Sequence, residues 1–377
     1  MRRALGRFAI DDEGKDITNI KRFMKGRVLD SSASFVVTLQ ASGKSFSVQP
    51  DETILDASLK AGIILAYGCK NGACGSCKGK IIGGEVRMGP HNSSTLTEEE
   101  EQRKVALLCC SFPLSDCLVS AREIEAGDIP IKKIPCRVAG LEQVASDVMV
   151  LKLQLPSTER FQYRAGQYVE FLLKDGKRRA YSIATPPHQE GPIELHIRHM
   201  PGGLFTDHVF GANPNVVMKV KDILRFEGPL GSFFLRDDSD KPMIFIASGT
   251  GFAPIQAIIE HTIHEKMTRP IHLYWGGRRP SDLYEHEKCL NWAKEHPHIH
   301  YIPVISDALP EDAWQGRSGF VHQAAVDDYP DMSGHQVYAC GAPIVITSAQ
   351  RDFTSKCQLP EDEFYADSFT SAADLAN

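Results

Sequence analysis

The run Tyr67-Gly68-Cys69-Lys70-Asn71-Gly72-Ala73-Cys74-Gly75-Ser76-Cys77 sets three cysteines at Cys-x4-Cys-x2-Cys spacing, and Cys109 or its neighbour Cys110 offers a distant fourth thiol. Four cysteines in that order have the spacing of a [2Fe–2S] cluster. The residues between them matter as much. A loop wrapped round a cluster must bring backbone N–H groups up to sulfur, and Gly68, Gly72, Ala73, Gly75 and Ser76 permit that approach. A four-cysteine zinc site is the competing reading, but such sites pair two Cys-x2-Cys knuckles and only Cys74 and Cys77 form one here. Adjacent side chains point in different directions, so only one of Cys109 and Cys110 is expected to serve. Cys117, Cys136, Cys289 and Cys357 have no motif around them and read as packing residues.

Outward from this loop, Phe35–Leu39 and Ser45–Val48 are rich in β-formers and flank a turn at Ser42-Gly43, which predicts a hairpin. Thr53 is placed to cap a short helix beginning at Ile54, and Thr97 precedes four glutamates, Glu98–Glu101, that read as a solvated first helical turn. Residues 34–125 are therefore expected to form the cluster domain and 126–134 a linker. Short strand-like runs such as Val148–Leu153 and Tyr168–Leu173 recur over residues 135–238, which predicts a small antiparallel β-barrel. From 239 to 377 the rhythm changes to apolar strands (Met243–Ala247, Ile271–Trp275, Tyr301–Ile305, Gln336–Ala339) with a helix over Pro254–His264, the pattern of a parallel α/β sheet. The whole is α+β and multidomain.

With 377 residues, 42% of them hydrophobic and 24% charged, the chain has enough apolar content for several cores. A net charge of −6 argues against nucleic acid or an anionic membrane as partner. No apolar run approaches the ~18 residues of a membrane span. Residues 1–33 are expected to be a poorly ordered leader, with a trimmed targeting segment as the alternative. Ten cysteines, several of them clustered at ligand-like spacings, suit a reducing cytoplasm better than a disulfide scaffold.

Two further motif sets carry chemistry. In Arg179-Ala180-Tyr181-Ser182 an arginine could neutralise a flavin phosphate, a tyrosine pack on the isoalloxazine and a serine hydroxyl bond the ring's reactive edge; an ordinary strand with a surface arginine is the plainer alternative. Gly202, Gly203 and Thr206 lie where glycine backbone and a helix start could hold a pyrophosphate, favouring FAD over FMN. Gly249-Thr250-Gly251-Phe252-Ala253-Pro254 follows an apolar strand and precedes a helix, the order a dinucleotide requires, although Gly-Thr-Gly alone is a common turn. Cys340-Gly341-Ala342-Pro343 ends the last strand, where a thiol could lie beside a nicotinamide or merely pack in a turn. Arg278 and Arg279 follow the second strand of this region and leave NADH against NADPH open.

In this order the motifs resemble known families. Cys69 to Cys77 with Cys109 resembles the plant-type ferredoxins, with their β-grasp-like fold. The later motifs resemble the ferredoxin–NADP reductase superfamily, and the resemblance covers about residues 34 to 372. The order ferredoxin, flavin barrel, nicotinamide domain resembles the reductase components of multicomponent oxygenases, and Gly228–Phe234, Tyr274–Arg278 with Asp282–Tyr284, and Glu363–Phe369 resemble the CDP-6-deoxy-Δ3,4-glucoseen reductases. The family's Leu-x-Cys-x-x-x-Pro context, matched by Leu107, Cys109 and Pro113, selects Cys109 as fourth ligand, and the tail adds Phe369 to the cofactor contacts. The resemblance implies an enzyme holding a [2Fe–2S] cluster on Cys69, Cys74, Cys77 and Cys109, FAD on Arg179, Tyr181, Ser182, Gly202, Gly203 and Thr206, and NADH, with NADPH as the alternative, on Gly249, Thr250, Gly251, Pro254 and Gly341. Ser182 and Cys340 are the catalytic candidates. Electrons would pass from NAD(P)H through FAD and the cluster to a partner protein, a dehydratase or an oxygenase component, from a chain acting as a monomer. An electron-carrier module with a vestigial nicotinamide site is the reading from another class, and the intact Gly249–Pro254 and Cys340–Pro343 motifs count against it.

Overall fold

The computed structural model describes residues 34–369, apart from 94, 125–128, 174–175 and 213–216. The expected leader 1–33 and the Ala126–Asp128 part of the linker lie outside the described residues.

Three sheets follow one another along the chain. The first has the order β2-β1-β7-β3-β5 and is built from β1 (Phe35–Leu39), β2 (Ser45–Val48), β3 (Lys78–Gly83), β5 (Val105–Leu107) and β7 (Cys117–Ser120), with a separate ribbon of β4 (Val86–Met88) and β6 (Ser111–Pro113). Its middle pair, β1 and β7, is parallel and its other pairs are antiparallel. The helix Ile54–Lys60 starts where expected because Thr53 Oγ1 accepts the Asp56 N–H at 3.1 Å, and it buries Ile54, Leu55 and Ala57 with Val37, Leu39 and Val119 of the sheet. Thr97 and Glu100 form a reciprocal capping box on the acidic helix Glu98–Gln102.

The second sheet runs β11-β10-β13-β8-β9-β12, from β8 (Lys132–Ala145), β9 (Val148–Gln154), β10 (Tyr168–Leu172), β11 (Arg178–Ser182), β12 (Ile193–Arg198) and β13 (Ile223–Leu230), with every pair antiparallel. A bridge between Ile183 and Leu195 joins its two edges and closes the barrel. Strand β8 alternates buried Ile134, Cys136 and Val138 with exposed neighbours, so one face fills the interior with Leu151, Phe171 and Phe226.

The third sheet is parallel, in the order β17-β16-β15-β14-β18-β19, with β14 (Met243–Ser248), β15 (Ile271–Gly277), β16 (Ile299–Ile305), β17 (Arg317–Ser318), β18 (Gln336–Gly341) and β19 (Phe364–Ser368). Alternate residues of β14 serve opposite layers. Phe245 and Ala247 pack with the helices Phe252–His264 and His286–Glu295, while Ile244 and Ile246 pack with Val321–Asp328 and Pro343–Lys356. Both faces are thus covered, which is why β14 reads as an unbroken apolar run. Gln336–Ala339 is not the last strand, as the sequence reading had it. Phe364–Ser368 follows as an edge strand whose Asp367 and Ser368 break the apolar pattern, and Arg317–Ser318 is too short to show one. The helix expected at Pro254 begins at Phe252, since proline fits the first turn, where its missing N–H needs no partner. Among the described residues no helix is long and apolar enough to cross a membrane.

Candidate functional site

The cysteine loop leaves the helix Ile54–Lys60 and returns at β3. Cys69 Sγ accepts the Asn71 and Ala73 N–H groups at 3.5 and 3.4 Å, and Cys74 Sγ accepts the Cys69 N–H at 3.4 Å. The thiols fall into two pairs: Cys69 bonds Cys74, and Cys77 Sγ lies 3.2 Å from Cys109 Sγ. Paired thiols with backbone N–H groups aimed at sulfur fit a two-iron cluster. The expectation that Cys109 and Cys110 point apart needs correcting. Leu108–Cys110 is a turn after β5, so strand alternation does not apply, and Cys110 Sγ sits 3.6 Å from Cys109 Sγ.

This loop is seated on the barrel. The Tyr168 hydroxyl donates to Gly68 O at 3.0 Å, the Gly231 N–H donates to the Tyr67 hydroxyl at 2.8 Å, and Tyr67 and Ser232 exchange N–H and hydroxyl bonds of 2.8 Å each. From the third sheet, Ala366 O accepts the Ser76 hydroxyl at 3.1 Å. Burial, with Cys74 adding to it, raises the neighbouring Asp367 carboxyl to about 7.

Next to the loop lies a cavity of about 2120 Å³ whose wall draws on all three sheets: Cys69 from the first, Arg179, Tyr181, Ser182, Gly202, Gly203 and Thr206 from the second, Gly249, Thr250 and Phe369 from the third. Among the described residues Ser182 Oγ is buried without a hydrogen-bond partner, an orphan hydroxyl that fits a ligand with a polar edge. Of the two arginines on β11, Arg178 is committed to Glu170 (3.0 Å) and Glu227, while among the described residues Arg179 Nη1 donates to the Arg178 carbonyl alone, 2.8 Å away, which leaves Arg179 the better phosphate partner. Tyr181 stacks obliquely on Phe205 at 5.3 Å. Thr206 serves the loop itself. Its hydroxyl accepts the Met200 N–H and donates to Met200 O, at 3.2 and 2.9 Å, holding Gly202 and Gly203 against the cavity.

On the nicotinamide side the two glycine turns interlock. A Cβ on Gly251 would come within 2.1 Å of Cys340 O, and one on Gly341, whose φ is +141°, within 2.1 Å of Ser248 Oγ. Trp275 Nε1 donates to Gly249 O at 3.2 Å, and Phe252 stacks on Trp275 at 3.9 Å. Gly251, Pro254, Cys340 and Gly341 are buried behind the wall that Gly249 and Thr250 present. The Cys340 thiol is fully buried in the core beside Phe252 and Trp275, and burial holds its pKa well above the ordinary thiol value, so it is neutral. Arg279 is locked to Asp312 by two bonds of 2.6 and 2.8 Å, whereas Arg278 is exposed at the cavity rim.

Among the residues that border this cavity and that the sequence reading missed as site residues are Tyr168, His196, Arg198 and Ser368. Arg198 spans from Asp147, bonded at 2.7 Å, toward Gly249; Ser368 Oγ is a second buried hydroxyl without a partner among the described residues. The one available signal was the His-x-Arg spacing on β12, which puts both side chains on the same face.

Three domain descriptions match the chain: 2Fe-2S iron-sulfur cluster binding domain over residues 37–114, oxidoreductase FAD-binding domain over 135–235 and oxidoreductase NAD-binding domain over 245–351. Among similar proteins, CDP-6-deoxy-L-threo-D-glycero-4-hexulose-3-dehydrase reductase of Yersinia pseudotuberculosis is 41% identical over 337 residues, covering 89% of this chain and 98% of that one. Terephthalate 1,2-dioxygenase reductase component 1 of Comamonas is 34% identical, with 89% and 97% covered. The crystal structure of Amycolatopsis cytochrome P450 reductase GcoB superposes with a TM-score of 0.71 at 31% identity, over 90% of this chain and 99% of that one.

Proposed function

The chain belongs to the iron–sulfur flavoprotein reductases that join a 2Fe-2S domain to FAD-binding and NAD-binding oxidoreductase domains, and from that premise we propose that its electron acceptor is a dehydrase acting on a CDP-6-deoxyhexulose. The chain is an NAD(P)H-dependent oxidoreductase in which electrons pass from NAD(P)H to FAD and the [2Fe–2S] cluster, and then to a partner enzyme. Bound FAD supplies the conversion between the two electrons of a hydride and the single electron that the cluster accepts.

The residue roles follow from chemistry and placement. Cys69, Cys74, Cys77 and Cys109 hold the cluster. Arg179 neutralises a flavin phosphate, Tyr181 packs on the ring, and the orphan Ser182 hydroxyl bonds the ring's reactive edge. Gly202 and Gly203, whose own N–H groups go to Asp207 Oδ2 and Met200 O, let the pyrophosphate approach the backbone of a loop that Thr206 holds. The turn Gly249–Gly251, backed by Pro254 and Gly341, receives the nicotinamide dinucleotide, and Phe369 closes the far side. Cys340 is a positioning residue: a neutral, packed thiol that sets the floor of that turn. The observation that supports the reading is one cavity bordered by Cys69, Ser182 and Thr250, a space common to the three proposed cofactor sites. That one chain supplies the described walls supports action as a monomer, and ten cysteines free of disulfides support a reducing, cytoplasmic setting.

The identity of 41% to the dehydrase reductase, against 34% to the terephthalate dioxygenase component, favours the sugar-nucleotide acceptor. An oxygenase component is the second reading, favoured by the likeness to the cytochrome P450 reductase. Coupled assays separate them. NADH oxidation that depends on both a CDP-6-deoxy-L-threo-D-glycero-4-hexulose-3-dehydrase and its sugar nucleotide is the expected result. Coupling to an oxygenase component but not to the dehydrase would reverse the assignment.

A further inference from the structure

Five thiols meet at the cluster site, Cys69, Cys74 and Cys77 from the loop and Cys109 and Cys110 from the turn after β5, one more than a [2Fe–2S] group requires. Cys110 is buried with its sulfur 3.6 Å from Cys109 Sγ, and a Cβ on Gly72, inside the Cys69–Cys74 loop, would come within 2.8 Å of it. Its backbone is pinned on both sides, since its N–H donates to Leu107 O at 2.8 Å and its carbonyl accepts the Gly89 N–H at 2.7 Å. The thiol therefore stays beside the loop. Cys117 provides the contrast, for its sulfur is spent on the Glu85 and Ser115 carbonyls at 3.6 and 3.3 Å.

We propose that Cys110 is a reserve ligand that takes the place of Cys109 on the cluster. The inference rests on the cluster assignment above. Rotation about a single Cα–Cβ bond carries a cysteine sulfur about 3 Å between staggered positions, a distance comparable with the separation of the two sulfurs. The exchange balances without a co-reactant: the Cys110 thiol gives up its proton and forms the iron–sulfur bond that Cys109 relinquishes, and Cys109 takes the proton. No electron moves. The pair makes the fourth coordination position tolerant of damage to either thiol, because one sulfur is already in place when the other is lost.

The test compares the full-length wild type, Cys109→Ala, Cys110→Ala and the double variant, each loaded anaerobically with ferrous iron and sulfide. Iron, sulfide and flavin content, visible absorption and the paramagnetic signal of the reduced protein are the readouts. Both single variants are expected to hold about two iron and two sulfide per chain, with the signal of Cys109→Ala shifted from wild type, while the double variant holds neither. A Cys109→Ala protein that keeps its flavin but binds no more iron than the double variant overturns the proposal. If alanine at that buried turn also costs the flavin, Cys109→Val, which refills the space, decides in its place, and an iron-free Cys109→Val protein is equally fatal. An iron-free wild type would instead sink the cluster assignment itself.

Discussion

At the cavity end of β12 the His196 ring is bonded through Nδ1 to the Tyr284 hydroxyl at 2.8 Å, a link from the barrel to the nicotinamide region. Burial, helped by the Lys288 charge, lowers its pKa to about 3, so the ring is neutral across the working range. The unfolded chain binds a proton at His196 near pH 6.5 and the folded chain does not, so stability from this group is present above about 6.5 and is lost as pH falls toward 3. His196→Gln, which cannot titrate there, is expected to flatten that acid limb, by up to about 1.4 kcal/mol for each pH unit in the window. Unfolding followed by denaturant at pH 7.5 and 5 measures it; equal slopes in both proteins would refute it. Apart from the His-x-Arg spacing, nothing local distinguishes this histidine in the sequence, because its role depends on a tyrosine 88 residues away. Ser182 was legible beside Arg179 and Tyr181, whereas Ser368, an equally orphaned hydroxyl, stood in a strand with no apolar pattern to reveal it.

Among the elements, the two glycine turns at the ends of β14 and β18 decide whether the nicotinamide region keeps its shape. Neighbouring parallel strands bring them together in register, Ala247 beside Cys340, and the connections leave in opposite directions at this point of the sheet. A side chain at Gly251 meets a backbone carbonyl, which has no rotamer to yield. Gly251→Ala should therefore displace the turn and slow reduction of the flavin by NAD(P)H about a hundredfold, since an ångström of misplacement costs that much. FAD content should hold, because the flavin wall lies on the barrel. Stopped-flow bleaching of the flavin gives the rate, and a variant as fast as wild type would show that the turn does not position the nucleotide.

For the whole molecule, the cluster region is a nearly separate core. Among the described residues only Tyr168 and Leu230 of the barrel join its hydrophobic cluster, while the barrel and the parallel sheet are built from their own residues. A chain beginning at Ile131 is thus expected to fold as a flavoprotein that still reduces ferricyanide with NAD(P)H yet loses most reduction of cytochrome c. If the shortened chain reduced cytochrome c as fast as the full one, electrons would not be leaving through the cluster. The same contacts imply that Tyr168 and Tyr67, which bond the cluster loop to the barrel, fix the spacing between the two sites.

The cysteine spacing, the glycine turns after apolar strands and the change from short strands to alternating strand and helix are properties of neighbouring residues, so the sequence by itself determined the three-part architecture and the kinds of group each part binds. Those signals survive because covalent spacing and side-chain periodicity are set within a dozen residues. Which residues share a wall was decided only by the tertiary structure. Tyr168 meeting Gly68, Gly251 meeting Cys340, and Arg198 reaching Gly249 each join segments about 50 to 100 residues apart. So too with Cys110: its direction follows from a turn held by Gly89 and Leu107, and no spacing rule encodes where a pinned turn aims its sulfur.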